Sequence, residues 1–122
     1  MSVPTGSDLP PASYLWAKTG ADGTWHPLLA HLLDAAAAGR YLWDTWLPES
    51  ARNWLAGPFA DPADARAAVI WLSGVHDLGK ASPAFQSQSI ADAQRVEDHG
   101  LPVSPAYGRA REAPHATVGA AL

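Results

Sequence analysis

The sequence has no cysteine among its 122 residues. This excludes a disulfide framework and any metal site built from thiolates. A bound metal must therefore use imidazole and carboxylate ligands, which favour manganese, iron, cobalt or nickel over a structural zinc site. The absence of cysteine also fits the reducing cytoplasm, which is the location that we expect for this chain.

Basic charge is also scarce. Eight Lys and Arg residues stand against twelve Asp and Glu residues, a formal net charge of −4. This balance argues against binding of nucleic acid through a broad basic surface, although a local metal centre can still attract phosphates. No apolar run approaches the roughly 18 residues of a membrane span, and the polar N-terminus does not resemble a signal peptide. We therefore expect no membrane partner.

Apolar residues recur at helical spacing along most of the chain, and 48% of the residues are hydrophobic. Convincing alternating patterns are missing, and residues 13–18 are compatible with a short helix or an extended segment. Most of the six tryptophans, Trp54 included, are expected to anchor the core. The sequence thus predicts an all-α fold. The predicted helices start at Pro27, Pro48, Pro62 and Pro83 and end near Gly39, Gly57, Gly79 and Ile90.

The last predicted helix starts at Pro114 and has barely two turns before Leu122. A helix of that length is not stable by itself in water. We therefore expect residues 13–122 to form a partial domain, incomplete at its C-terminus, preceded by a flexible N-terminus over residues 1–12.

The adjacent residues His76 and Asp77 are the strongest indication of chemistry. An imidazole and a carboxylate can ligate a metal together, and the carboxylate can bridge two ions. The doublet follows an apolar helical run and precedes Gly79 and Lys80. Lys80 could hold a phosphate oxygen, or it could only complement the dipole at the end of the helix.

Histidines on two other predicted helices can complete such a site. His31 lies in the first helix and His115 opens the last, so three helices could present imidazoles to one point. Asp34 follows His31 by one turn and could orient its ring, or it could be a solvated surface charge. Each histidine alone is more often an ordinary surface or core residue than a ligand.

Four segments resemble the N-terminal HD nuclease domain of the type I CRISPR-associated helicase-nuclease, within the HD phosphohydrolase superfamily. They occur in the order of that family and cover most of the chain from about residue 15. Their sequences are Leu-Trp-Ala-Lys at 15–18, His-Leu-Leu-Asp at 31–34, His-Asp-Leu-Gly-Lys at 76–80 and Ser-Pro-Ala-Phe-Gln at 82–86.

The resemblance implies an HD-domain-like helical bundle with one or two divalent metal ions. It assigns His31, His76, Asp77 and His115 as metal ligands, with His26 as the competing choice for His31. Asp77 and Lys80 carry the implied catalytic roles, Lys80 at the scissile phosphate. The family completes its site with further His residues and a distal Asp. Neither of the two aspartates that follow the doublet has the expected placement, and the helicase motor is absent; these two aspartates are Asp92 and Asp98.

For the function, the resemblance implies hydrolysis of phosphodiester bonds in single-stranded DNA during CRISPR defence. The implied partners are a helicase portion and a guide-RNA surveillance complex. Because part of the ligand set is missing, we expect weak or no activity from this chain alone. Two alternatives remain: an HD phosphohydrolase that acts on nucleotides, and a non-catalytic helical module that binds a partner protein.

Overall fold

The computed structural model describes residues 9–103. Helices dominate this part of the chain, as predicted, and none of them is long and apolar enough to cross a membrane. The described residues divide into two compact units, one of residues 9–31 with 78–103 and one of residues 32–77. Short 3-10 turns cover Pro11–Tyr14 and Leu78–Ala81, and a π-helical turn covers Leu42–Trp46. The strands and helices are β1 (Trp16–Thr19), β2 (Trp25–Pro27), α1 (Leu28–Tyr41), α2 (Glu49–Ala56), α3 (Pro62–Val75), α4 (Pro83–Gln86) and α5 (Ile90–Asp98).

The first unit begins with an antiparallel hairpin of β1 and β2, in which Lys18 pairs with His26. Of residues 13–18, which the sequence left open, residues 13 and 14 thus end a 3-10 turn and residues 16–18 are extended. Gly23 takes a φ of 81° in the connecting loop, a left-handed conformation that glycine adopts without steric cost. Because β2 runs directly into α1, the helix starts at Leu28, and the predicted start at Pro27 is one residue early.

The core of the first unit joins β1 to the short helices near the end of the described chain. The rings of Trp16 and Phe85 have centroids 4.7 Å apart at an interplanar angle of 38°, a tilted arrangement that aromatic pairs favour. Val96 on α5 is fully buried beside them. The buried cluster consists of Trp16, Phe85, Ala93, Val96 and Val103.

Two serine caps divide the segment that was predicted as one helix from Pro83 to Ile90. Ser82 accepts a hydrogen bond from the backbone of Phe85 at 3.4 Å and starts α4. Ser89 accepts one from Asp92 at 3.4 Å and starts α5. The predicted end at Ile90 was therefore about one turn too late, and α5, which starts there behind the second cap, was not predicted.

The tryptophans do not all serve the core. Trp16 and Trp43 are buried. Trp46, Trp54 and Trp71 are each more than 60% exposed, and Trp54 reaches 79%. The expectation that Trp54 is a core residue was wrong. Within α2 the more buried positions are residues 51, 52, 55 and 56, and position 54 falls outside that face of the helix.

Two glycines allow α1 and α3 to approach closely within the second unit. A Cβ atom added to Gly74 would lie 3.2 Å from the Cβ of Ala36. One added to Gly39 would lie only 2.7 Å from the Cβ of Ser73. Since interiors of proteins are close-packed, no room remains there for even one methyl group.

Gly39→Ala is therefore expected to lower the free energy of unfolding by about 1–3 kcal/mol through overpacking. This loss would occur although alanine is the better helix former by about 1 kcal/mol. Urea denaturation followed by circular dichroism measures it. The exposed Ala38 on the same helix gives the control, since Ala38→Gly reports helix propensity alone. A Gly39→Ala variant as stable as the wild type would contradict the close contact.

Candidate metal centre

Helix α3 carries the His-Asp doublet at its C-terminal end. Its start is capped as predicted, because the carboxylate of Asp61 accepts a hydrogen bond from the backbone of Ala63 at 2.8 Å. The helix ends at Val75, so the predicted end near Gly79 was about one turn too late. His76 is the C-cap residue, and the doublet therefore stands where regular helix gives way to a turn.

The imidazole of His76 is oriented by its own helix. Its Nδ1 atom lies 2.6 Å from the backbone oxygen of Ser73. A carbonyl oxygen can only accept, so Nδ1 carries a hydrogen and donates it. In a continuing helix that oxygen would accept from the amide of residue 77. The same contact thus accounts for the end of α3 and directs Nε2 away from the helix.

The Nε2 atom of His76 lies 3.3 Å from Oδ2 of Asp77. With Nδ1 already protonated, Nε2 of the neutral ring is an acceptor, and so is the carboxylate oxygen. Two acceptors that face each other at this distance are stabilised by a shared proton or a shared cation. The side chain of His76 is 52% exposed and that of Asp77 only 13%. A cation bound between them would therefore be accessible to solvent from the side of His76.

His31 completes a group of three candidate ligands with His76 and Asp77. Each offers one nitrogen or oxygen, and these atoms all lie within 4.8 Å of one another. Ligand atoms bound to one ion at about 2.1 Å can be at most about 4.2 Å apart. The spacing is therefore close to what a single ion requires, and the donor set fits a divalent metal with nitrogen and oxygen ligands.

His26 was the competing choice for the first ligand. The structure places it in β2, with its ring edge-on to that of His31, at a centroid separation of 6.1 Å and an interplanar angle of 87°. The group of three contains His31 and not His26. His26 therefore packs beside a candidate ligand. Asp34 is exposed on α1 and lies outside the group, so its orienting role stays a prediction.

Lys80 lies in the 3-10 turn that follows the doublet. The residue is only 8% exposed, and its ammonium nitrogen stands 5.6 Å from the centroid of the Phe85 ring. This is a cation–π distance. Its role at a scissile phosphate stays a prediction. His115, the fourth predicted ligand, lies outside the residues that the structure describes.

Gln86 is a residue whose importance sequence reasoning missed. It is fully buried, and its side chain binds the backbone of Trp16 and Lys80. Two of the four motif segments are thus joined to the turn after the doublet by one amide. A glutamine directly after a buried aromatic was the only available signal, and it could not identify partners distant in the sequence.

Comparisons with known proteins identify the family of the chain. The family model described as "Cas3, HD domain" matches residues 16–122. Over 91 residues, 72% of this chain, the sequence is 42% identical to the "CRISPR-associated endonuclease/helicase Cas3" of Thermus thermophilus. Over 82 residues, 62% of this chain, it is 33% identical to the "CRISPR-associated nuclease/helicase Cas3" of Streptococcus thermophilus.

Each match spans only 9% of the length of the relative. No solved structure matches the chain. The family model nevertheless covers nearly all of the sequence after the first strand begins, including the doublet and the motif segments that surround it. The chain therefore belongs to the Cas3 HD domain family.

Proposed function

We propose that this chain is a metal-dependent nuclease domain that hydrolyses phosphodiester bonds in single-stranded DNA as part of CRISPR defence. The observation that carries the proposal is the group of His31, His76 and Asp77, whose ligand atoms lie within 4.8 Å of one another. The names of the relatives, which combine nuclease and helicase, support it. A helicase portion and a guide-RNA surveillance complex are the proposed partners, in the cytoplasm.

A divalent manganese, iron, cobalt or nickel ion would activate water and polarise a phosphate oxygen at this site. The residues of the chain would hold it in place. His76 is suited to this role because its Nδ1–H donates to Ser73, which leaves Nε2, on the side of Asp77, as the nitrogen whose lone pair can bind a metal. Asp77 supplies the negative charge that a cation requires, and its low exposure strengthens that attraction. We propose His31 as the third ligand and His115 as the fourth.

Lys80 is proposed to stabilise negative charge at the scissile phosphate. An ammonium group in a partly desolvated turn interacts with a phosphate more strongly than one in bulk water. Lys80 follows the doublet closely in sequence and is buried. It therefore supplies a positive charge three residues after the doublet.

The test is cleavage of a labelled single-stranded DNA by the purified chain, with manganese, cobalt, nickel or no added metal. We expect weak, metal-dependent cleavage that is lost in His76→Ala and Asp77→Ala, because each variant removes a ligand. Cleavage that persists in both variants would contradict the site. Robust cleavage that both variants abolish would confirm the site and contradict the expectation of weak activity.

The same preparations separate the two alternative functions. Turnover of nucleotides without cleavage of DNA would favour a nucleotide phosphohydrolase. A chain that retains no transition metal after purification and binds none on titration would favour a non-catalytic module. Metal content is measured by elemental analysis, with Asp77→Ala as the reference for non-specific binding.

A further inference from the structure

We propose that Gln86 is a positioning residue that presets Lys80. It would do so by holding the backbone of Lys80 against β1, while the neighbouring Phe85 holds the ammonium group. The consequence for catalysis rests on the proposed function, because it requires Lys80 to act at a phosphate. The positioning itself can be observed without any activity.

The side-chain amide of Gln86 makes hydrogen bonds through all of its polar groups. Its Oε1 accepts from the backbone nitrogen of Trp16 at 3.2 Å. Its Nε2 donates to the backbone oxygen of Trp16 at 2.8 Å and to that of Lys80 at 2.8 Å. The indole of Trp16 in turn donates to the backbone oxygen of Gln86 at 3.3 Å. One acceptor and two donors in this arrangement are the properties of a carboxamide.

A side-chain amide is unusual at a fully buried position such as that of Gln86. A buried polar group is costly unless its hydrogen bonds are made, and an apolar side chain would fill the same volume without that requirement. What the amide provides is a fixed connection between two backbone segments. It pairs with β1 much as a neighbouring strand would, and it uses its remaining donor on Lys80.

Lys80 is therefore held at two points by consecutive residues of α4. Gln86 fixes its carbonyl, and Phe85 lies 5.6 Å from its ammonium nitrogen. A free lysine side chain carries about 2 kcal/mol of rotamer entropy. In this structure the side chain of Lys80 is ordered when the chain folds, before any phosphate binds. An ammonium group that is already placed loses less freedom when a phosphate binds.

Nuclear magnetic resonance can observe this arrangement directly. In the wild type we expect the side-chain signals of Lys80 to be displaced upfield by the ring of Phe85, and the Nε2 protons of Gln86 to exchange slowly. Phe85→Leu should remove the displacement and so confirms its origin. A wild-type spectrum with neither feature would overturn the proposal without any need for a variant.

Gln86→Glu is the decisive substitution, since it keeps the size but replaces both donors with an acceptor that faces two carbonyl oxygens. We expect the displacement of the Lys80 signals to disappear. Trp16→Phe removes the indole bond and makes the buried ring smaller, but it keeps the backbone partners of Gln86 and should preserve the displacement. Gln94→Glu on α5 is the matched control, because Gln94 is exposed and its Nε2 donates to Asp98 at 2.9 Å. A folded Gln86→Glu variant with unchanged Lys80 signals would refute the proposal.

DNA cleavage separates this inference from the proposed function. If both hold, Lys80→Ala and Gln86→Glu each reduce the rate, by up to on the order of 100-fold, and the double variant is no slower than Lys80→Ala alone. A change in the Lys80 signals with cleavage unaffected by Lys80→Ala supports the positioning and contradicts the role of Lys80 at the phosphate. Additive losses in the double variant would contradict action through Lys80.

Discussion

Asp77→Ala is expected to raise the dissociation constant for a divalent transition metal by more than about 100-fold. Loss of a residue that merely supports a ligand already costs 10- to 100-fold, and Asp77 is the only anion in the group with His31 and His76. Its carboxylate is largely shielded from solvent. A water molecule that took its place on the metal would not supply the lost negative charge. His76→Ala should show a loss of similar size.

Titration with cobalt, followed by its visible absorption or by calorimetry, measures this change. His26→Ala is the sharpest control, because His26 touches the ring of His31 edge-on but lies outside the group of ligands. His99→Ala controls for exposed histidines away from the group, since His99 is the C-cap residue of α5, contacts the carbonyl of Arg95 at 2.7 Å and stacks on the ring of Tyr14. Equal losses in His26→Ala and Asp77→Ala would show that the ligand assignment is wrong.

Asp92→Ala is expected to lower the free energy of unfolding by roughly 3 kcal/mol, the cost of breaking a buried ion pair. The side chain of Asp92 is 4% exposed, and Oδ1 lies 2.6 Å from the guanidinium of Arg95. The hydroxyl of Ser89 donates to Oδ2 at 2.6 Å. The guanidinium also lies 3.8 Å from the ring of Trp25. Without Asp92 this positive charge would remain between apolar groups and lose its ion-pair partner there.

Chemical denaturation with circular dichroism tests this expectation. Asp44→Ala is the matched control, because Asp44 forms an ion pair with Arg66 at 2.7 Å that is open to solvent on both sides. Exposed pairs contribute little to stability, so Asp44→Ala should leave the midpoint nearly unchanged. Equal destabilisation by the two substitutions would show that burial of an ion pair does not determine how much it contributes to stability.

The stability provided by Asp92 should also depend on pH. Burial raises the pKa of Asp92, but hydrogen bonds from Ser89, Thr19 and Arg95 together with the charge of Arg95 outweigh it, so the pKa is lowered. A carboxylate with a lowered pKa stabilises the folded state above its unfolded value and loses that contribution as pH falls through the folded value. The stability difference between wild type and Asp92→Asn should therefore shrink below about pH 4.

The features that could be predicted from the sequence depend on residues close together along the chain. Asp61 with Pro62 marked the start of α3, and Ser82 with Pro83 marked the start of α4, because a cap acts on amides a few residues away. The candidate ligands His31, His76 and Asp77 were also predicted, since a helix fixes the position of each residue type along its length. The structure brings these three together.

Other features depend on contacts that no local pattern reveals. The hairpin has too few residues to show alternation, and the second cap at Ser89 interrupts what reads as one helix. The exposure of Trp54 is decided by which face of α2 packs. The partners of Gln86 include Trp16, which is 70 positions earlier in the chain. Sequence periodicity carries no information about such a pairing.

The discontinuous first unit has a consequence for synthesis on the ribosome. Trp16 leaves the ribosome 70 residues before its partner Gln86. At translation rates of about 5–20 residues per second, this interval lasts roughly 4 to 14 s. Residues 32–77 form a continuous unit that can fold during that wait. During that time β1 can pair with β2, but Trp16 cannot pack against Phe85 or bond Gln86 until α4 emerges, so the nascent chain is most exposed to aggregation before then.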